Sequence, residues 1–227
     1  MSILTLPTTP VAGQRPGTSG LRKKVAVFQT PHYLENFVQA VFDTILENGA
    51  APAARTLVLG GIRSGKSQWA EDWIGREAGP SGSVRYVATG SVSDDADFAA
   101  RVSAHRNRRP THWSTVESAD VASALRDSRA TMVDDIGGWL VASMDRCDAW
   151  TGGSIQTEVD ELTSAVSEFT APLALVSPEV GLTVVPATES GRRFADALGS
   201  LNQRLAAVCD RVVLVVAGQP LTVKEPR

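Results

Sequence analysis

Apolar residues in this chain form two alternating patterns, short β-branched runs and longer stretches with apolar residues at helical spacing. The runs predict strands at Thr56–Leu59, Val84–Ala88, Thr131–Ile136, Leu173–Ser177 and Val212–Ala217. The helical stretches lie at Gln68–Ile74, Ala96–Arg106, Val121–Ser128, Glu158–Phe169 and Gly191–Val208. Near-continuous apolar runs are typical of strands that are buried on both faces. We therefore predict an α/β fold in which helices cover both faces of a mostly parallel sheet.

Residues 1–54 differ in pattern from the rest of the chain. Residues 1–22 are rich in Thr, Pro and Gly and lack an apolar period, which predicts a disordered leader. Residues 23–54 contain apolar residues at helical spacing over Tyr33–Asn48, followed by the helix stop and linker Gly49–Pro52. An amphipathic helix of this kind usually packs on its own domain or on a partner. The domain that carries the chemistry is predicted to be residues 55–227.

Composition and charge exclude several classes of protein. The net charge of −3 argues against a nucleic-acid partner, which would need a concentrated basic face. The two cysteines lack the spacing of a disulfide framework or a zinc site, which suits a reducing compartment. No apolar run reaches the roughly eighteen residues of a membrane span, and no signal-peptide pattern is present. We expect a cytoplasmic enzyme that does not enter a membrane.

A phosphate-binding motif follows the first predicted strand. Residues 60–67 fit the pattern G-x-x-x-x-G-K-[ST] completely. The backbone N–H groups of such a loop, and the positive end of the helix after it, bind the polyphosphate of a nucleotide. Lys66 adds a positive charge for the β and γ phosphates, and the Ser67 hydroxyl is placed to ligate Mg²⁺. The nucleotide-binding residues predicted in this loop are Gly60, Gly61, Ile62, Arg63, Ser64, Gly65, Lys66 and Ser67.

A pair of carboxylates, Asp134 and Asp135, comes near the end of the third predicted strand. In phosphate-loop enzymes a carboxylate at the end of a neighbouring strand holds Mg²⁺ or its water shell. The alternative is that one of the two caps the turn at Gly137-Gly138. We favour Asp134 as the second magnesium residue, beside Ser67, and leave the role of Asp135 open.

The segment Ala100–Pro110 concentrates arginines around His105 in a chain whose net charge is negative. One guanidinium group can donate two parallel hydrogen bonds to phosphate oxygens, so such a cluster suits the phosphates of a nucleotide. A neutral imidazole can attack phosphorus, which makes a covalent nucleotidyl-histidine chemically reasonable. The alternative is a solvated basic face with a histidine that takes no part in chemistry.

The order of motifs extends beyond the phosphate loop. The first motifs are Gly60–Ser67, Tyr86–Thr89, Ala100–Pro110 and His112-Trp113. The later ones are Leu175–Gly181, Val185-Pro186, Arg192–Phe194, Leu201–Ala206 and Val215–Gly218. Together they resemble the bifunctional adenosylcobinamide kinase/adenosylcobinamide-phosphate guanylyltransferase family of cobalamin synthesis. The resemblance covers roughly Arg55 to Lys224, which a phosphate loop alone does not produce.

The resemblance implies a P-loop, RecA-like fold and two successive reactions on one corrinoid, adenosylcobinamide. ATP or GTP phosphorylates its aminopropanol hydroxyl, and GTP then donates GMP to that phosphate, which yields adenosylcobinamide-GDP and pyrophosphate. It further implies that His105 carries GMP covalently, that Asp134 lies near the metal, and that the enzyme is a homo-oligomer, with a trimer expected. The other nucleotide-binding residues that it implies are Thr89, Gly90, Ser91, Arg106, Asn107, Arg108, Arg109 and Glu117. A carboxylate such as Glu117 can accept two hydrogen bonds from guanine, at N1 and the exocyclic amine.

The chain departs from the family pattern at three places. Asp135-Ile136-Gly137-Gly138 replaces a cysteine followed by a threonine-rich or leucine-rich turn. Ser177-Pro178-Glu179-Val180-Gly181 lies where the family usually has Asn-Glu-Val-Gly. The compact members of the family also lack a segment corresponding to residues 1–54.

Two other functions are compatible with the motifs. One is a phosphate-loop kinase or nucleotidyltransferase that acts on a different small molecule. The other is a nucleotide-dependent regulatory module that uses the Tyr33–Asn48 helix to bind a partner. An arginine-flanked nucleophile favours the enzyme, because a regulatory switch has no use for one.

Overall fold

The computed structural model of the protein describes residues 55–80, 82–90 and 109–226. Outside the described residues lie the predictions for residues 1–54, the predicted helix Ala96–Arg106, and the site residues Ser91, His105, Arg106, Asn107 and Arg108.

Strands and helices alternate along the described chain. The strands are β1 (Arg55–Gly60), β2 (Arg85–Ala88), β3 (Ser114–Glu117), β4 (Thr131–Asp134), β5 (Leu173–Pro178), β6 (Arg211–Val216) and β7 (Gln219–Lys224). The helices are α1 (Lys66–Ala78), α2 (Val121–Ala124), α3 (Ile136–Arg146), α4 (Gln156–Glu168) and α5 (Glu189–Val208).

The strands of the described residues form one 7-stranded sheet in the order β3-β2-β4-β5-β1-β6-β7. All neighbouring strands are parallel except β6 and β7, which pair in the antiparallel direction. The strand that leads into the phosphate loop, β1, is separated from the strand that ends at Asp134, β4, by β5. This confirms the predicted α/β, mostly parallel, P-loop fold.

Helices cover both faces of the sheet because alternate strand residues point in opposite directions. On one face, Val58 and its neighbours on β4, β5 and β6 pack against Trp73 and Ile74 of α1. On the other face, Leu57 and its neighbours pack with buried leucines of α3, α4 and α5. Both sides of the central strands are therefore buried, as their continuous apolar sequences predict.

The main differences from the sequence prediction occur at the sheet edges and after β4. Strand β4 ends at Asp134, so the predicted strand to Ile136 was too long, because Asp135 caps α3 and Ile136 begins it. Helix α3 was missed because Gly137-Gly138 is typical of a turn. The edge strands β3 and β7 were also missed, since their residues are mostly exposed and β7 contains Pro220. None of the helices in the described ranges has both the length and the apolar character needed to cross a bilayer.

Candidate active site

The phosphate loop connects β1 to α1 at the carboxyl edge of the sheet. Two of its glycines, Gly60 and Gly65, are required by close packing and by backbone conformation. A Cβ atom on Gly60 would lie 2.8 Å from the carbonyl oxygen of Val215, and Gly65 has a φ of +91°. Residues with a side chain rarely adopt that conformation, so only glycine fits here without strain.

Two neighbouring segments hold the loop in place. The Gly218 N–H donates to the Ser64 carbonyl at 2.8 Å, and the Glu179 N–H donates to the Gly60 carbonyl at 3.0 Å. Gly218 belongs to the β6–β7 turn, where Ala217 and Gly218 both have positive φ, as in the tight turns that suit a hairpin. The loop is thus braced by the last hairpin and by the end of β5.

The loop contains several polar donors that the described protein groups leave unbonded or bind only weakly. No side chain caps the N-terminus of α1, whose first N–H groups have no partner within the helix. Within the described residues, the buried Ser64 hydroxyl has no hydrogen-bond partner. The Lys66 ammonium donates to the Gly61 carbonyl at 3.3 Å. These donors and the positive end of the helix form a suitable site for phosphate groups.

Asp134 lies directly across from the start of α1. The Ser67 hydroxyl donates to Asp134 Oδ1 at 3.4 Å, and the Tyr86 hydroxyl donates to Asp134 Oδ2 at 2.6 Å. Burial, together with the negative charge of Asp134, raises the pKa of Tyr86 well above its ordinary value, which keeps the phenol protonated and able to donate. The carboxylate is therefore held with one oxygen toward Ser67.

Arg109 joins this group from the segment that follows His105 in the sequence. Its guanidinium lies 3.5 Å from the centre of the Tyr86 ring, and it donates to the Thr115 hydroxyl at 2.9 Å. A cation over an aromatic face is stabilised by the electron density of the ring. Arg109, the described end of the arginine cluster, is therefore separated from Asp134 by the side chain of Tyr86 alone.

Asp135 has a different environment from Asp134, to which a cis peptide bond joins it. Its carboxylate accepts the N–H of Gly138 at 2.7 Å and caps α3. Burial, and secondarily the charge of Asp134, raises the pKa of Asp135. The capping role that sequence analysis left open for the pair therefore belongs to Asp135.

Thr89, Gly90 and Glu117 lie at the ends of the neighbouring strands β2 and β3. The Thr89 hydroxyl is buried and donates to the Asp135 carbonyl, whereas Gly90 and Glu117 are exposed. Ala88 and Glu117 are partners in the β2–β3 register. These residues share the edge of the sheet that carries Asp134, so a nucleotide bound there could reach them.

A magnesium ion delivered with a nucleotide fits the oxygen atoms that the site offers. Across residues 55–80, 82–90 and 109–226, no group of at least 3 His, Cys, Asp or Glu residues could hold a metal ion by itself. Ser67 and Asp134 supply two oxygen ligands, and Mg²⁺ commonly takes one or two protein oxygens together with phosphates and water. The donor set is compatible with nucleotide-bound Mg²⁺ and less so with a resident metal.

Gly137 and Pro178, which belong to the two internal departures from the family pattern, lie against each other. A Cβ atom on Gly137 would lie 2.8 Å from Cγ of Pro178, so the absence of a side chain at Gly137 makes room for the proline ring. Asn202 supports the same strand end, because it accepts the Ser177 hydroxyl at 2.6 Å and donates to the Pro178 carbonyl at 3.1 Å. Pro178 and Gly137 thus form a matched pair beside the site.

Sequence reasoning assigned no role to Tyr86 or Asn202. The available signal for Tyr86 was a phenol within a predicted buried strand, since a buried hydroxyl needs a partner. For Asn202 it was an amide on the apolar face of α5.

A cavity of about 730 Å³ lies between α1 and residues 109–113. It is lined by Arg109 and Trp113 but by no residue of the phosphate loop, nor by Asp134. It is therefore separate from the phosphate site, although Arg109 borders both regions.

A model of the cobinamide kinase / cobinamide phosphate guanyltransferase family matches residues 56–223. The chain is 39% identical over 176 residues to the bifunctional adenosylcobalamin biosynthesis protein CobP of Pseudomonas aeruginosa, a match that covers 75% of the chain and 97% of that protein. It is 37% identical over 190 residues to the bifunctional adenosylcobalamin biosynthesis protein CobU of Salmonella typhimurium, with coverage of 74% and 98%.

A second similarity covers a smaller share of the chain. Phosphoglucomutase 1 of Drosophila melanogaster is 56% identical over 61 residues, which are 27% of the chain and 10% of that protein. Because the match covers only a tenth of that phosphoglucomutase, it does not indicate phosphoglucomutase activity in this chain.

Proposed function

Because the chain belongs to the cobinamide kinase / cobinamide phosphate guanyltransferase family, we propose that it performs two successive steps on adenosylcobinamide with the phosphate loop and the arginine segment. In the first step it transfers the γ-phosphoryl group of ATP or GTP to the aminopropanol hydroxyl. In the second it transfers GMP from GTP to the new phosphate, with release of pyrophosphate. The observation that carries the proposal is the contact between Ser67, the last residue of a complete phosphate loop, and Asp134.

In the kinase step the protein positions the triphosphate and offsets its charge. The N–H groups of the loop and the start of α1 bind the phosphates, and Lys66 turns from Gly61 to the β and γ phosphates. Ser67 and Asp134 would hold Mg²⁺, which neutralises charge that develops on the phosphate oxygens. The acceptor hydroxyl forms the new P–O bond as the bond to the nucleoside diphosphate breaks.

In the second step His105 serves as the nucleophile. A ring nitrogen bonds to the α-phosphorus of GTP and pyrophosphate leaves, which gives a phosphoramidate. An oxygen of adenosylcobinamide phosphate then displaces the histidine and forms adenosylcobinamide-GDP. Arg106, Asn107, Arg108 and Arg109 bind the phosphates, and Thr89, Gly90, Ser91 and Glu117 bind the nucleoside. The contact of Arg109 with Tyr86 supports this, since it brings the end of the arginine segment close to Asp134.

The same proposal covers the setting of the enzyme. It works in the cytoplasm as a homo-oligomer, with a trimer as the expected state, and it needs neither a nucleic acid nor a membrane. Sedimentation of the purified protein tests the oligomer directly.

Two labelled substrates test the proposed function. With GTP labelled at the α-phosphate, the protein should gain an acid-labile label in the presence of Mg²⁺, whereas GTP labelled at the γ-phosphate should leave the protein unlabelled. With adenosylcobinamide added, chromatography should show adenosylcobinamide phosphate first and adenosylcobinamide-GDP later. Nucleotide turnover that the corrinoid does not stimulate would contradict the proposal and indicate a different acceptor.

A further inference from the structure

The most exposed large apolar side chains of the described residues lie in two loops. Ile62 of the phosphate loop is 90% exposed, and Leu182, Val184 and Val185, between β5 and α5, are 77%, 90% and 74% exposed. The other exposed large apolar side chains, on β3, α3, β6 and β7, range from 39% to 61%. Exposed apolar residues that lie together mark a binding surface, so the relative position of the two loops decides what these side chains can do.

The two loops leave the sheet side by side. β1 and β5 are parallel neighbours, and their last residues, Gly60 and Pro178, are partners in the register. The Glu179 N–H also donates to the Gly60 carbonyl at 3.0 Å. Both loops therefore begin at one point on the carboxyl edge, where ligands bind in parallel α/β sheets.

Hydrogen bonds hold the backbone of the loop of residues 179–188 in place. The Gly181 N–H donates to Glu179 Oε1 at 2.6 Å, and the Thr183 hydroxyl donates to the Val180 carbonyl at 3.0 Å. The Arg192 guanidinium donates to the carbonyls of Pro186 and Ala187 at 3.0 Å and 2.7 Å. With these contacts holding the backbone, the aliphatic side chains are left facing solvent.

We propose that Ile62, Leu182, Val184 and Val185, the apolar rim, bind the corrin macrocycle of the acceptor substrate. The inference rests on the proposed function, which requires the acceptor hydroxyl within about 3–3.5 Å of the γ-phosphorus. The γ-phosphate end of a bound triphosphate lies at the phosphate loop, and Ile62 is part of that loop. A corrinoid is much wider than the triphosphate, so its ring extends beyond the loop and over the adjacent segment. The methyl groups that the corrin ring carries between its amide side chains are apolar surface that such a rim can cover.

The test compares polar variants of the rim with a control of similar exposure. Leu182→Ser, Val184→Ser and Val185→Ser, alone and combined, should raise the KM for adenosylcobinamide, by about tenfold or more in the combined variant. Equilibrium dialysis of the coloured corrinoid should show the same loss without turnover. The KM for ATP or GTP and the labelling by α-labelled GTP should stay at wild-type values. The control is Val223→Ser. Val223 lies on β7, is 61% exposed and pairs near the start of β6, away from the carboxyl edge of the sheet. This substitution should change none of these quantities.

Wild-type activity separates failure of this inference from failure of the proposed function. If the wild-type protein does not phosphorylate the corrinoid, the proposed function is wrong. If it does so, and the rim variants bind the corrinoid as tightly as the wild type, the assignment of the rim is overturned. A shift in sedimentation with unchanged corrinoid affinity would also overturn it and assign the rim to contact between copies of the chain.

Discussion

At the scale of single residues, the candidate site depends on how the Asp134 carboxylate is oriented. Tyr86 donates to one oxygen and Ser67 to the other, and Arg109 covers the tyrosine ring. Hydrogen-bonded partners that orient a metal-binding carboxylate commonly affect metal affinity or activity by about 10–100-fold. The motif contains Ser67 and implies Asp134, but it gives no information about Tyr86, whose role depends on the pairing of β2 with β4.

Tyr86→Phe removes the hydroxyl and keeps the ring that contacts Arg109. We expect the Mg²⁺ concentration for half-maximal kinase rate to rise about tenfold, with kcat at saturating Mg²⁺ close to that of the wild type. Electron paramagnetic resonance of Mn²⁺ with a non-hydrolysable triphosphate should show the same loss of affinity without turnover. An unchanged metal dependence in both measurements would mean that Tyr86 does not position Asp134.

Lys66→Ala should reduce the kinase rate by about a hundredfold or more, since a fixed charge at the transferred phosphoryl group is lost. Its thermal unfolding should resemble that of the wild type, because the hydrogen bond from Lys66 to the Gly61 carbonyl is long and exposed. Steady-state kinetics together with a melting curve check both parts. A kinase rate near that of the wild type would refute the role of the loop.

At the scale of elements, the sequence predicts those parts of the fold that local pattern determines. β1, its loop and α1 follow from a buried strand and a complete motif, and α4 and α5 are found within about two residues of their bounds, an ordinary boundary error. Helix α3 was missed because its first turn contains Gly137 and Gly138. Those glycines are needed because Pro178 and Thr89 pack against them in the folded protein. The sequence alone does not show that these residues are neighbours.

Gly137→Ala tests the contact of α3 with β5. The added methyl group would meet the Pro178 ring, and we expect a loss of about 1–3 kcal/mol in the free energy of unfolding, as for other overpacked sites. Pro178→Ala should recover part of the loss in the double mutant, which a double-mutant cycle measures. The matched control is Gly199→Ala in α5, where the added Cβ meets nothing within 4 Å and helix propensity favours alanine. Equal effects of the two glycine substitutions would argue against the proposed packing.

At the scale of the whole molecule, the order of motifs predicted the family, and the similarity to two bifunctional relatives bears this out. The division of the chain at residue 55 stays a prediction, as does the role of the His105 segment. Sequence reasoning predicted the phosphate loop from its motif and favoured Asp134 from its place at the end of a strand. It did not predict the apolar rim, whose parts lie about 120 residues apart in sequence and leave the sheet as neighbours only through the pairing of β1 with β5.

A chain of residues 52–227 should keep both activities at rates close to those of the full chain. The segment includes all of residues 56–223, and three quarters of the chain matches 97% of the CobP relative. Kinetics of both steps and a melting curve of the shortened protein check this expectation. Loss of either activity in a shortened protein that still melts cooperatively would give residues 1–51 a functional role.

The most direct test of the central claim, that His105 carries GMP between two reactions of one enzyme, is a comparison of wild type with His105→Asn. Asparagine keeps a polar edge but cannot form a phosphoramidate, and the kinase step needs no protein nucleophile. We predict that the variant takes up no label from α-labelled GTP and forms no adenosylcobinamide-GDP, while adenosylcobinamide phosphate still accumulates. A labelled protein adduct in the His105→Asn variant would contradict the account.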